Sequence, residues 1–174
     1  MIKSMEAKSE LKYIFSNVNE WLKYAEAKHG GLVVLNAGLV VGILSSYTNI
    51  QNFTDKTTLS IGIICFVISV FISIISQFPV TKNRFYNKKV IQSPNLYFFG
   101  HLSHLDNDLF ISEYQKIDTD FKPTKFDTDL MNQILVNARI AQSKFSLFKF
   151  ASYITAFGSG LIGITTIIKV IWHF

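Results

Sequence analysis

The chain has 174 residues, 17 lysines and arginines against 12 aspartates and glutamates, a formal net charge of +5, and a hydrophobic content of 49%. This charge suits a protein lying beside anionic lipid better than one binding nucleic acid, because no basic stripe is interleaved with stacking aromatics. Cys65 is the sole cysteine, which excludes an internal disulfide, and its place within an apolar run disfavours thiol catalysis.

From residue 8 to 29 the spacing predicts an amphipathic helix, with Leu11, Ile14, Phe15, Val18, Trp21, Leu22 and Ala25 on one face and Lys8, Lys12, Glu20 and Lys23 elsewhere. No apolar stretch precedes Gly30, so a cleaved signal peptide is not expected and the first span serves as the insertion signal. Residues 31–47 form that span. It carries no charge and one central polar residue, Asn36. Residues 59–78, LSIGIICFVISVFISIISQF, are a second span without any charged side chain; about 20 apolar residues cover the roughly 30 Å of bilayer hydrocarbon. Residues 151–172 are a third, interrupted only by Lys169, whose ammonium can reach the interface from near the far end.

Lysines and arginines mark the cytoplasmic side. Lys3, Lys8, Lys12, Lys23 and Lys28 precede the first span, and Lys82, Arg84, Lys88 and Lys89 follow the second. The amino terminus and residues 81–149 are therefore expected in the cytoplasm, with the tip between the first two spans outside. Within 81–149, Ser93-Pro94-Asn95 predicts the opening of a helix with Leu96, Phe99, Leu102 and Leu105 buried. Asp106-Asn107-Asp108 then caps a helix from Leu109 to about Ile117. Asp118 to Asp127 reads as a loop. From Thr128 a last helix, with Leu130, Ile134, Ala138, Ala141, Phe145 and Phe148 in register, is expected to continue into the third span. No segment alternates with period two between hairpin turns, so the fold class is all-α: an integral membrane protein with three transmembrane helices and a cytoplasmic helical bundle, treated as a single domain over 1–174.

Small residues recur at close intervals in the spans: Gly38 and Gly42, Ser69 and Ser73, then Ala156, Ser159, Gly160 and Gly163. Such residues let membrane helices approach closely. They pack within one subunit or between subunits of an oligomer, and Asn36 bonds across helices or lines a pore. His101 and His104, near Asp106 and Asp108, have a spacing open to a divalent metal, but two helical histidines without an assured third ligand read better as surface or core-edge residues. No metal and no cofactor is expected. Neither HExxH, G-x-S-x-G, a P-loop nor paired carboxylates in apolar context occurs, so no catalytic residue is assigned and the chain is not expected to be an enzyme. Arg139 sits among Val136, Ala138, Ile140 and Ala141, where its planar fork suits a phosphate or a carboxylate such as Glu113.

The order of features then becomes recognisable. Trp21-Leu-Lys-Tyr-Ala-Glu-Ala-Lys28 leads into a short span with Asn36, and a second span ends near Pro79. Asn95-Leu-Tyr-Phe-Phe-Gly100-His-Leu-Ser103, Glu113-Tyr114, Gln133-Ile and Ala141-Gln-Ser-Lys144-Phe precede the last span. This pattern resembles the transmembrane effector family of Pycsar, a bacterial antiphage system. The resemblance implies an effector in the bacterial inner membrane that responds to a cyclic pyrimidine mononucleotide, cUMP or cCMP, by oligomerising or opening and impairing the membrane. Nothing in the chain resembles a β-barrel cyclic-nucleotide module, so a direct site is built from helices, with Gly100, His101, Glu113, Arg139 and Lys144 as ligand-binding candidates and a homo-oligomer as the working form. A non-gated membrane scaffold that assembles a partner through its cytoplasmic helices is the alternative.

Overall fold

Among the described residues the chain forms five helices. The computed structural model describes residues 2–47, 52–78, 91 and 93–172; the basic run Lys82, Arg84, Lys88 and Lys89, Pro79, and positions 48–51 of the first connection lie outside the described residues. Helix α1 runs over Ile2–Tyr47, α2 over Phe53–Gln77, α3 over Phe99–Leu102, α4 over Asn107–Ile117 and α5 over Lys125–Trp172. Among the described residues there is no strand. Among the described residues, three helices are long and apolar enough to cross a membrane, within Ser9–Tyr47, Thr54–Gln77 and Lys125–Trp172.

Several boundaries differ from the sequence expectation. The amphipathic helix and the first span are one helix, α1, with no break at Gly30-Gly31. Two interior glycines cost about 1 kcal/mol each in helix propensity, but a backbone entering lipid must satisfy its own hydrogen bonds, which favours continuation. Helix α2 starts before Leu59 because the Asn52 side chain caps it, accepting from the Thr54 N–H at 3.0 Å. Hydropathy is blind to those polar first turns. In the last helix the cytoplasmic part and the third span are continuous as expected, but α5 begins at Lys125, where Asp127 Oδ2 accepts from the Thr124 N–H at 2.9 Å.

The helix expected from Pro94 is also corrected. Residues 94–98 are turn and coil, and α3 covers only Phe99–Leu102. Asn95 Oδ1 accepts from the Tyr97 N–H at 2.9 Å, a local bond that competes with helix formation. The Asn95 N–H in turn donates to His101 Nδ1 at 3.0 Å. Leu96, Phe99, Leu102 and Leu105 are nonetheless all buried. Asp106 caps α4, accepting from the Leu109 N–H at 2.9 Å.

The described residues form two compact units, with α1 and α5 contributing to both. The first, here the head unit, takes residues 1–25 and 80–145. Its core joins Leu11, Ile14 and Val18 of α1 to Phe110 and Tyr114 of α4 and to Met131, Ile134 and Ala138 of α5. Trp21, Phe99 and Phe145 close one end, with ring centroids 5.3 Å (Trp21–Phe99) and 5.1 Å (Phe99–Phe145) apart. Asn137 Nδ2 donates to Asn19 Oδ1 at 2.7 Å, tying α5 to α1. Tyr97 is held from two sides: its hydroxyl donates to Glu10, and its carbonyl accepts from Asn17 Nδ2 at 2.8 Å.

Tyr114 carries a pH consequence. Burial, followed by the nearby carboxylates of Glu10 and Asp118, pushes its phenol up to about 12. The folded head unit therefore keeps this proton above pH 10, where an unfolded tyrosine, with a pKa of about 10, releases it. Stability from this group is fully present below about pH 10 and is lost as pH rises towards about 12. Tyr114→Phe is expected to flatten that alkaline decline in a thermal-unfolding series, and to remove a component titrating at about pH 12 from the tyrosinate absorbance curve.

Candidate functional site

The second unit, here the span unit, takes residues 26–79 and 146–174. Its lipid-length helices turn apolar side chains outward: Val34, Val41, Ile64, Phe71, Phe157 and Ile168 are exposed. Inside it are His29, Asn36, Ser69, Ser73, Ser76 and Thr155. In hydrocarbon such groups are stable only when they find partners in neighbouring helices.

Most of them do, around one node. Asn36 Nδ2 donates to the Leu32 carbonyl at 3.0 Å and to Ser69 Oγ at 3.1 Å. Ser69 Oγ passes its own proton to the Ala151 carbonyl at 3.0 Å. Thr155 Oγ1 lies 3.0 Å from Asn36 Oδ1, 2.9 Å from Ser69 Oγ and 3.2 Å from the Ala151 carbonyl. Donation from Thr155 to Asn36 uses every side-chain proton of Ser69 and Thr155 and joins α1, α2 and α5 in one network. Asn36 thus bonds across helices of its own chain. Ser73, one turn from Ser69 on α2, is fully buried, and its Oγ has no hydrogen-bond partner among the described residues. Towards the Gln77 end, buried His29 meets the Phe148 ring edge-on at 5.6 Å, and Gln77 Nε2 donates to the Glu26 carbonyl at 3.2 Å.

On the other side of the node the helices touch through glycines that the sequence reading did not single out. A Cβ at Gly158 would lie 2.9 Å from Cys65 Cβ and 3.2 Å from Phe66 Cε1, and one at Gly62 would lie 2.4 Å from Ile162 Cδ1. Gly62 and Gly158 are therefore where α2 and α5 approach. At Gly38, Gly42, Gly160 and Gly163 a Cβ would meet nothing within 4 Å, and Ala156 is exposed. No neighbouring helix lies close against those four glycines within the described chain. Farther along, Lys169 forms an ion pair with Asp55 of the first turn of α2, so its ammonium has a fixed partner besides the interface. The pair lies in a cavity of about 240 Å³ that Thr58, Thr165 and Thr166 also line.

In the head unit, Arg139 serves the backbone. Its Nη2 donates to the Leu105 carbonyl at 2.6 Å and its Nε reaches the Ser103 carbonyl at 3.4 Å, so the fork pins the connection between α3 and α4 onto α5. Glu113 pairs with Lys116 at 2.5 Å, and Lys144 is buried. His101 accepts at Nδ1 from Asn95, which places the proton of its neutral form on Nε2. Among the described residues no group of three or more His, Cys, Asp or Glu could hold a metal ion. Gly100 is buried beneath the Phe98 ring, which a Cβ there would meet at 2.5 Å; the glycine lets that ring lie on the backbone.

A family model described as the PycTM Pycsar effector protein domain matches residues 10–170, nearly the whole chain. The chain belongs to the Pycsar effector family. No curated protein and no solved structure matches it.

This Pycsar effector is accordingly a Pycsar-type antiphage defence effector with a membrane-spanning build. Its family match covers residues of both units, including the Asn36 node and the Arg139 anchor. The sequence reading found Asn36 and the Ser69/Ser73 spacing, but missed His29, Ser76 and Thr155 as members of one buried set. A signal was present: Ser69, Ser73 and Ser76 fall at spacings of four and three, and His29 and Asn36 at seven, which is one helical face each.

Proposed function

We infer that this chain impairs the bacterial inner membrane when a cyclic nucleotide, cUMP or cCMP, acts on the head unit, and so arrests the infected cell. The observation that carries this reading is the Pycsar effector match over residues 10–170. The continuity of α1 and α5 through both units supports a coupling between them. In this reading the head unit and the amino terminus are cytoplasmic, and the messenger contacts Gly100, His101, Glu113, Arg139 and Lys144. A phosphate that engages Arg139 competes with the Ser103 and Leu105 carbonyls and so frees the α3–α4 connection. Gly38, Gly42, Ala156, Gly160 and Gly163, open on the helix surfaces, are then the contacts between copies in the active oligomer.

The test is membrane potential in bacteria expressing the chain with or without a pyrimidine cyclase, followed with a voltage-sensitive dye. Depolarisation only when both are present is expected. Unchanged polarisation in every combination contradicts the reading and favours a scaffold.

A further inference from the structure

Three features of the span unit lie in series along α2 and α5. Contacts pair Ser69 with Ala151 and Thr155, Gly62 with Gly158 and Ile162, and Asp55 with Lys169, so the two helices run antiparallel with a constant register. On one side of the Gly62–Gly158 contact is the buried polar set His29, Ser76, Ser73, Ser69, Asn36 and Thr155. On the other is the cavity holding Asp55 and Lys169. Between Ser69 and Leu59 lie about 15 Å of helix at 1.5 Å per residue, where Phe66, at 1% exposure, is buried against Gly158 and the half-buried Ser60 at the far end bonds the Tyr47 hydroxyl at 3.1 Å.

We propose that a single chain contains an interrupted path for water and protons, made of this inner polar column and the outer Asp55–Lys169 cavity, and closed by an apolar lock at Phe66. One observation points to water within the inner column. Ser73 Oγ is fully buried without a partner among the described residues, a condition that bound water relieves. Next to it, Asn36, Ser69 and Thr155 are already hydrogen-bonded to one another and to the Leu32 and Ala151 carbonyls, so a water at Ser73 extends a chain of hydrogen-bonded groups. The outer cavity is polar for a matching reason. Thr58, Thr165 and Thr166 donate to carbonyls of their own helices at 2.9–3.1 Å, so they present oxygen lone pairs, alongside the Asp55 carboxylate, to whatever enters.

The lock works by dryness. A narrow apolar segment excludes water without a solid plug, and opening it requires only that the segment become wide or polar enough to wet. Phe66 is the largest side chain in that segment, and the glycine contact beside it keeps α2 against α5. A chain of hydrogen-bonded hydroxyl and amide groups relays protons without passing metal ions, so protons and water are the species carried. This inference deepens the proposed membrane impairment by naming the path. It needs neither the messenger nor a second copy for its test.

The full chain is reconstituted into sealed vesicles with a pH dye inside, and proton flux is read after an imposed pH step without nucleotide. Phe66→Ala and, as a milder opening of the same lock, Ile162→Ala are each expected to raise proton flux, Phe66→Ala by about tenfold or more over the parent. Ser73→Val added to either variant is expected to return the flux to the parental level, and potassium flux is expected to stay at that level throughout. If Phe66→Ala does not fold, Ile162→Ala decides. Parental flux from the folded opening variants, flux that survives Ser73→Val, or potassium carried as readily as protons would overturn the path. Because no messenger is added, its success or failure is separate from that of the cyclase experiment.

Discussion

Gly158→Val is expected to destabilise the span unit by about 1–3 kcal/mol, the range for overpacking a well-filled contact. Already the first added carbon would lie 2.9 Å from Cys65 Cβ, an atom fixed to the α2 backbone, and 3.2 Å from the Phe66 ring. Relief requires α2 and α5 to separate, which strains the Ser69–Thr155 node on one side and the Asp55–Lys169 pair on the other. Gly62→Ala should cost less, although its nominal clash is closer, because the atom it meets is the terminal methyl of Ile162, which can rotate away. Gly42→Val meets nothing within 4 Å and should leave the unfolding midpoint of the detergent-solubilised monomer unchanged. Equal losses for Gly158→Val and Gly42→Val would contradict this assignment of the helix contact.

Arg139→Ala is expected to abolish the response to the cyclic nucleotide while leaving the protein membrane-inserted. Part of the effect is structural. The guanidinium donates to the Leu105 carbonyl at 2.6 Å and reaches that of Ser103 at 3.4 Å, and hydrogen bonds to a charged group contribute about 1.5–3 kcal/mol each. Thermal unfolding should therefore show a weakened head unit. Arg139→Lys keeps the charge but loses the fork, so it should recover part of the stability and little of the response. Converting a 99% silent population into a 99% active one takes about 5.5 kcal/mol of differential binding. One arginine changing partners falls short of that, so cooperative action of several subunits is built into the expectation. A nucleotide response identical to the parent's in Arg139→Ala would remove this residue from the site.

How much of this was legible beforehand depends on which physical term dominates at each position. The spans were legible because about 20 apolar residues have few alternatives to crossing a bilayer. The head-unit core was legible because Leu11, Ile14 and Val18, and Ile134, Ala138 and Ala141, keep helical period, and all six are buried. The start of α2 was hidden because an Asn52 cap and polar first turns carry no hydropathy. The turn at Asn95 was hidden because a local side-chain bond overrode a periodicity that the tertiary core still uses. At the site, Gly38 and Gly42 fit the familiar spacing better than Gly62 and Gly158 do, yet only the latter pair has a helix against it. Spacing specifies a face, and the third dimension decides which face is occupied. Arg139 shows the same limit: its apolar neighbours marked it as engaged, but two carbonyls more than 30 residues away in sequence hold it.

The most direct measurement adds cUMP or cCMP to the purified chain in sealed vesicles that hold an imposed potential. Collapse of that potential with one nucleotide, and not with the corresponding linear monophosphate, is the predicted result. A potential that survives saturating amounts of both cyclic nucleotides, with the protein shown to be inserted and folded, would contradict a messenger-gated membrane effector.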